Sequence, residues 1–405
     1  MGKDFWKKEK EKMKKYLTYD DVNIVPKYSE LKSREDVKLD TRFTRNTELT
    51  IPIVASPMDT VTELEMSVEM MERGGVGVIH RFNTIEEQSK MMKSLHRKWD
   101  DFFKIGDGRE KSADNDYDDW YKKLNGRRPT ESDYEDLKDY GIFTDDMAKD
   151  DKMWRRKPLC AAVGVTGDYL ERAEELVKNG CNVILIDVAH GHHSNVGEAI
   201  EKIKSKISNV EVVAGNIATG DGARFLCRKG ADGIRVGIGN GSLCETRIRT
   251  GVGLPQVSVL LDVCSVADEY NVPIIADGGI RNVGDVAKGI GCGADSIMVG
   301  SLLSGTKESP GSIEKQGQWP NEKLFKKYRG SASRDSKGND KNVEGNHKVI
   351  PYKGKVNRIL SDITDGLRSS CSYVGAIDID EYHSKVEFVE VTNAGQVEAR
   401  PHLLN

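Results

Sequence analysis

No apolar run in this 405-residue chain approaches the roughly 20 residues needed to cross a bilayer. The seven cysteines are odd in number and include no C-x-x-C pair, so they form neither a disulfide framework nor a zinc site pattern. An excess of positive charge is also missing. The net charge of -4 and isoelectric point near 6.1 argue against a nucleic-acid surface. The basic start, Met1-Gly-Lys-Asp-Phe-Trp-Lys-Lys, leads into no apolar core, and Trp6 stands where a myristoylation signal needs serine or threonine. There is no tandem repeat. These absences point to a soluble, cytoplasmic chain with reduced thiols, no membrane contact and no nucleic-acid partner.

What is present is a rhythm. Eight short apolar runs return along the chain: Ile51–Ala55, Val76–His80, Cys160–Val165, Val183–Val188, Val210–Ala214, Gly233–Val236, Pro273–Ala276 and Ser296–Val299. They do not alternate polar with apolar, as expected of parallel strands buried on both faces. Helical patterns lie between most of them, at Thr62–Arg73, Ile85–Trp99, Tyr169–Asn179, Asn195–Ile207, Gly220–Lys229, Val257–Tyr270 and Val283–Cys292. Eight such units predict an α/β fold, a (β/α)8 TIM barrel. No G-x-G-x-x-G follows the first strand, which argues against a Rossmann sheet.

Residues 3–16 read as a solvated helix, and Tyr16–Pro26 as a segment packed onto the core. The chain divides into 1–99, holding the N-terminal segment and the first barrel units; 100–154, a small, polar insertion after the second β/α unit, helical or partly disordered; and 155–405, the rest of the barrel with its flap and C-terminal tail. The insertion is too short and polar for a core of its own, with Ser132 placed to cap one of its helices. A second irregular stretch, the Gly-, Lys- and Ser-rich 328–349, reads as a flap.

Barrel active sites gather at the C-terminal ends of the strands. Here those ends carry Ser56-Pro-Met-Asp-Thr60, His80-Arg81, Asp187-Val-Ala-His-Gly-His-His193, Gly215-Asn216, a cysteine loop, Asp277-Gly-Gly279 and Gly300-Ser301. The loop, Arg235-Val-Gly-Ile-Gly-Asn-Gly-Ser-Leu-Cys-Glu-Thr-Arg247, combines three glycines with a thiol and two hydroxyls. It is either a glycine turn with a structural cysteine or a nucleophile presented in a tight loop. The glycines after strands seven and eight match the phosphate position of many barrels, and a carboxylate such as Asp277 accepts well from ribose hydroxyls. Together they suggest a nucleoside monophosphate or similar sugar phosphate, although tight turns also need glycine. His190, His192 and His193 lack companion ligands for zinc. Asp187 suits a second substrate or caps the next helix.

These motifs, with Gly251-Val-Gly-Leu-Pro-Gln256 and Ala276-Asp-Gly-Gly-Ile280, resemble the IMP dehydrogenase/GMP reductase family from about Tyr16 to the C-terminus, the insertion excepted. The resemblance implies an NAD(P)-dependent purine nucleotide oxidoreductase. Cys244 would attack C2 of the purine and Thr246 would assist at the group on C2. Ser242, Gly279, Gly300, Ser301 and Tyr328 would hold the phosphate, Asp277 the ribose, and Ser56 and Met58 the nucleotide pocket. Asp187 and Asn216 would serve the cofactor. Carbonyls of Gly239, Gly241 and Cys244 resemble the family's monovalent-cation (potassium) loop. The resemblance also implies a homotetramer. Asn240 and Glu245 depart from the commoner pattern, and a carboxylate beside Cys244 disfavours a thiolate.

Within the family, the dehydrogenase oxidises IMP with NAD and activates water with an Arg-Tyr pair on a long flap. The reductase converts GMP with NADPH and needs no such pair. In this flap Arg334 is followed by Asp335, not tyrosine. Val343-Glu-Gly345, Ser372-Tyr-Val-Gly-Ala376 and the lack of the usual regulatory (CBS) domain pair in the insertion also favour GMP reductase. Glu308 is similar to the glutamate proposed to handle the amino group. The tail Val391–His402 and Ala161–Asp168 resemble the dehydrogenase instead. A non-catalytic purine-nucleotide-binding barrel would need the phosphate glycines and Asp277 but not Cys244 with Thr246. A flavin oxidoreductase barrel would share only the phosphate site.

Overall fold

A computed structural model describes residues 14–106, 158–318, 321–331, 333 and 345–399, with side chains to 101 in the first stretch. The expectations for residues 3–13 and 107–154, and the Arg334-Asp335 and Val343-Glu344 stretches, lie outside the described residues.

Eight parallel strands close into a barrel: β1 (Ile53–Ala55), β2 (Val76–Ile79), β3 (Cys160–Val163), β4 (Val183–Asp187), β5 (Glu211–Ile217), β6 (Gly233–Val236), β7 (Ile274–Asp277) and β8 (Ser296–Val299). Each pairs with the next, and β8 pairs with β1 through Met298↔Val54. The missing alternation now has a cause. Val54, Val78, Cys160, Ala162, Val183, Leu185, Val213, Ile275 and Met298 fill the barrel interior. The residues between them, such as Ala161, Ile184 and Ile186, pack outward into the layer under the helices. Both faces are dry, so both are apolar. Phe43 and Leu49, from or beside the short hairpin Thr41–Arg42/Glu48–Leu49, join the interior cluster.

The longer helices are α1 (Leu64–Glu72), α2 (Ile85–Gly106), α3 (Tyr169–Lys178), α4 (Ser194–Lys206), α5 (Gly220–Arg228), α6 (Gln256–Glu269), α7 (Val283–Gly291) and α8 (Val356–Val374). Their starts follow from capping chemistry: Thr219 accepts from Gly222 N–H before α5, and Asn282 from Asp285 N–H before α7. The cap of α4 is His193, whose Nδ1 accepts from Asn195 N–H, so Asp187 is not the cap.

Three expectations need correction. Helix α2 does not end at Trp99 but runs on to Gly106, because nothing between these residues breaks a helix. Strand β5 runs on through Gly215-Asn216, since Gly215 still pairs with Asp187 and Arg235. The flap is not irregular at its ends. Lys323–Arg329 pairs antiparallel with His347–Pro351, and Glu314–Gln316 adds a third strand.

The segment after Tyr16 does pack on the core. Tyr19 and Val22 are buried, and Val22–Ile24 pairs with Phe388–Glu390. Among the described residues no helix is long and apolar enough to cross a membrane.

Candidate active site

A cavity of about 710 Å³ opens at the C-terminal mouth of the barrel, within the range that holds small-molecule substrates. Of the residues expected to act there, Ser56, Met58, Asp187, Asn216, Gly239, Gly241, Ser242, Cys244, Thr246, Asp277, Gly279, Gly300, Ser301 and Tyr328 all line it. Glu308 does not. Its carboxylate accepts from Val356 N–H at 2.8 Å, at the start of α8, and burial raises its pKa. Here it holds the start of α8 and is not brought to the cavity.

The cysteine loop leaves β6 as a set of tight turns. Cys244 is half-buried, and its Sγ donates to Thr246 Oγ1 at 3.1 Å. Its backbone N–H donates to Gly241 O, and it forms a bridge with Gly345, where the flap returns. Gly330 N–H donates to Asn346 O and Asn346 N–H to Leu243 O, so both flap ends stand against the cysteine loop. The carboxylate of Glu245 is taken by Arg249 at 2.6 Å and by Asn346 at 3.3 Å, which counters its charge beside the thiol. The turn depends on Gly237, at φ +143°, where a Cβ would lie 2.0 Å from Asp277 O. Gly237→Ala is expected to cost at least about 2 kcal/mol, read as a shifted urea midpoint, and to abolish nucleotide binding. A variant as stable as the wild type would mean that the turn relaxes freely.

Across the mouth lie the turns after β7 and β8, with Gly279, Gly300 and Ser301 on the cavity wall. Ser242 and Tyr328 hydroxyls lie 3.1 Å apart, and burial raises the Tyr328 pKa. Gly279 N–H donates to Asn240 O at 2.8 Å, tying the β7 turn to the cysteine loop rather than standing open to an anion. Lys353 Nζ donates to the carbonyls of Ser301 and Leu302 at 2.6 and 3.0 Å, holding the β8 turn from behind.

A buried charge network spans the mouth. Arg235 donates to Asp187 Oδ1 at 2.5 Å and to Asp277 Oδ2 at 2.9 Å. Burial penalises its charge, but Asp277 and Asp187 outweigh that and keep it protonated. Asn216 Nδ2 donates to Asp277 Oδ2 at 2.7 Å and to Gly237 O at 2.7 Å, so it orients the Asp277 carboxylate. Gln256 donates to Val236 O and accepts from Asn240. Arg329 clasps Asp59 at 2.8–2.9 Å and fixes the outgoing flap strand. Arg235, Gln256 and the Asp59–Arg329 pair had no role assigned from sequence; the signal for Arg235 was a charge inside an apolar strand.

The histidines after β4 do separate jobs: His193 caps α4 and His192 packs 5.1 Å from the Phe225 ring. Burial, then His192 and His193, lower the His190 pKa.

Fold and site together define a (β/α)8 barrel with a thiol, a hydroxyl and two carboxylates around one cavity. A profile described as the IMP dehydrogenase / GMP reductase domain matches residues 16–402, and the chain belongs to that family of NAD(P)-dependent oxidoreductases. It is 36% identical to the inosine-5'-monophosphate dehydrogenase of Nitrosopumilus maritimus, covering 96% of this chain and 98% of that one. The same enzyme of Cryptosporidium parvum is 37% identical, over 96% and 95%. Among solved structures, a cysteine-to-alanine variant of Trypanosoma brucei GMP reductase in complex with guanosine 5'-monophosphate superposes with a TM-score of 0.81. It is 30% identical and covers 97% of this chain and 99% of that one.

Proposed function

We propose that the chain is a GMP reductase, converting GMP, NADPH and two protons to IMP, NADP and ammonium. The observation that carries this reading is the flap: its ends stand beside Cys244, and between Gly330 and Gly345 the sequence holds no Arg-Tyr pair to activate water. The T. brucei relative, a GMP reductase, supports it.

In this reading Cys244 Sγ bonds to C2 of the guanine, and the amino group leaves as ammonia once protonated. The hydroxyl of Thr246, 3.1 Å from the thiol, handles that proton in this reading. The dinucleotide, when bound, supplies the hydride that C2 receives, after which the C–S bond breaks and IMP departs. Asp277 receives the nucleotide ribose and Ser242, Gly300, Ser301 and Tyr328 its phosphate, while Gly279 shapes the turn. Ser56 and Met58 line the nucleotide pocket, and Asp187 takes the nicotinamide ribose.

Carbonyls of Gly239, Gly241 and Cys244 would hold a monovalent cation such as potassium, whose chemistry suits neutral oxygen donors. Gly239 turns the loop there at φ +81°, and a Cβ would lie 2.6 Å from Arg247 Cγ, so the position is confined to glycine. The cation would brace the cysteine loop. We further propose a cytoplasmic homotetramer.

The relatives named as dehydrogenases favour a second reading, oxidation of IMP with NAD and water to XMP. An absorbance assay separates the two. Loss of the nicotinamide band with GMP and NADPH, and none gained with IMP and NAD in potassium buffer, is the expected result. The reverse would overturn the proposal and direct mutagenesis to Arg334, Asp335 and Glu344. Nucleotide binding without turnover in either direction would leave a non-catalytic barrel.

A further inference from the structure

Among the described residues, two cations line the cavity, Arg81 and Arg235. Arg235 is committed to two short ion pairs. Arg81 is not. Its Nε lies 3.6 Å from Asp187 Oδ2, too long for a hydrogen bond, and finds no hydrogen-bond partner. A guanidinium held at a cavity wall with donors to spare is a site for a phosphate-type anion.

Its place in the barrel says which anion. Arg81 follows β2, and a Cβ on Gly164, just past β3, would lie 3.7 Å from Arg81 Nη1. With Asp187 at the end of β4, this puts the guanidinium on the β2–β4 side of the mouth. The phosphate turns after β7 and β8 lie on the opposite side of the closed sheet. The nucleotide's own phosphate therefore goes elsewhere. We propose that Arg81 binds the bridging diphosphate of the dinucleotide, an inference that rests on the reading of Asp187 as acceptor for the nicotinamide ribose. The diphosphate is attached directly to that ribose. The 2'-phosphate that distinguishes NADPH from NADH sits on the far ribose, beyond the diphosphate, so Arg81 serves both dinucleotides alike.

The side chain is held ready for this task. Its guanidinium stacks over Phe82 at 5.2 Å. Phe82 N–H donates to Nδ1 of buried His80, which leaves the proton on Nε2 to donate to Glu63 Oε1 at 3.1 Å. This fixes the turn between His80 and Phe82, while the Arg81 side chain remains 34% exposed.

The test is equilibrium binding of NADPH, NADH and phosphate-free dihydronicotinamide riboside to the full chain saturated with IMP, the product, with which reduced nicotinamides do not react. Wild type is compared with Arg81→Ala and Arg81→Lys. Arg81→Ala should weaken both dinucleotides equally, by about ten- to a hundred-fold, with riboside and IMP affinity unchanged. Arg81→Lys, which keeps the charge without the fork, should recover part of the loss and guards against a folding artefact. Loss for NADPH alone would make Arg81 a 2'-phosphate reader and overturn the proposal. Equal loss for the riboside, or no loss at all, would overturn it too. A wild-type chain with no affinity for either dinucleotide would instead overturn the functional reading beneath it.

Discussion

Cys244→Ala is expected to lower turnover by at least about 10⁴-fold, the scale seen when a covalent nucleophile is removed. Nucleotide affinity should stay within about threefold, because the contacts assigned to binding lie in other side chains and in turns that the substitution leaves in place. The backbone at 244 is fixed by its own N–H to Gly241 O and by the bridge to Gly345, neither of which involves sulfur. Since the side chain is only half-buried, its loss should cost less than about 1 kcal/mol of stability. Single-turnover absorbance with isothermal titration checks both halves, and mass spectrometry of quenched wild-type enzyme should show the nucleotide adduct that the variant lacks. Turnover of the variant within tenfold of wild type would exclude attack by this thiol.

The barrel was legible because its signal is collective. Eight runs with no polar alternation have few other solutions, and runs such as Gly233–Val236 and Ser296–Val299 coincide with β6 and β8. The strand ends were legible for a related reason: polar and glycine-rich groups at successive strand ends have no packing role, so they point to one mouth. What sequence could not supply was direction. Glu308 follows the β8 turn by a few residues, as a site residue would, yet its carboxylate serves the first amide of α8. Gly215-Asn216 looks like a turn, but the ladder carries through it, and Asn216 faces Asp277. The flap's polarity hid two paired strands because their side chains are mostly on a sheet surface that faces solvent. A contact between distant residues leaves no trace in either partner's neighbours, as with Asp59 and Arg329.

Arg235 is the exception, a charge whose position in β6 already demanded partners, and its removal carries the second large effect. Arg235→Met keeps most of the side-chain volume and removes the guanidinium that joins Asp187 to Asp277. Two carboxylates in the barrel mouth, 12% and 19% exposed, then face one another with Asn216 and the 3.6 Å contact to Arg81 as their remaining support. Breaking a buried pair from one side costs about 3–5 kcal/mol, and the residual solvent access of both carboxylates places the expectation near the lower end. Because both acceptors assigned to ribose lose their orientation, nucleotide and dinucleotide affinity should fall together. Urea unfolding of Arg235→Met against a variant that also carries Asp187→Asn and Asp277→Asn separates charge from packing. If unpaired carboxylates cause the loss, the triple variant regains most of the stability while remaining unable to bind either substrate tightly. An Arg235→Met protein within about 1 kcal/mol of wild type would show that the mouth tolerates two unpaired carboxylates, and the buried network would then have no structural role.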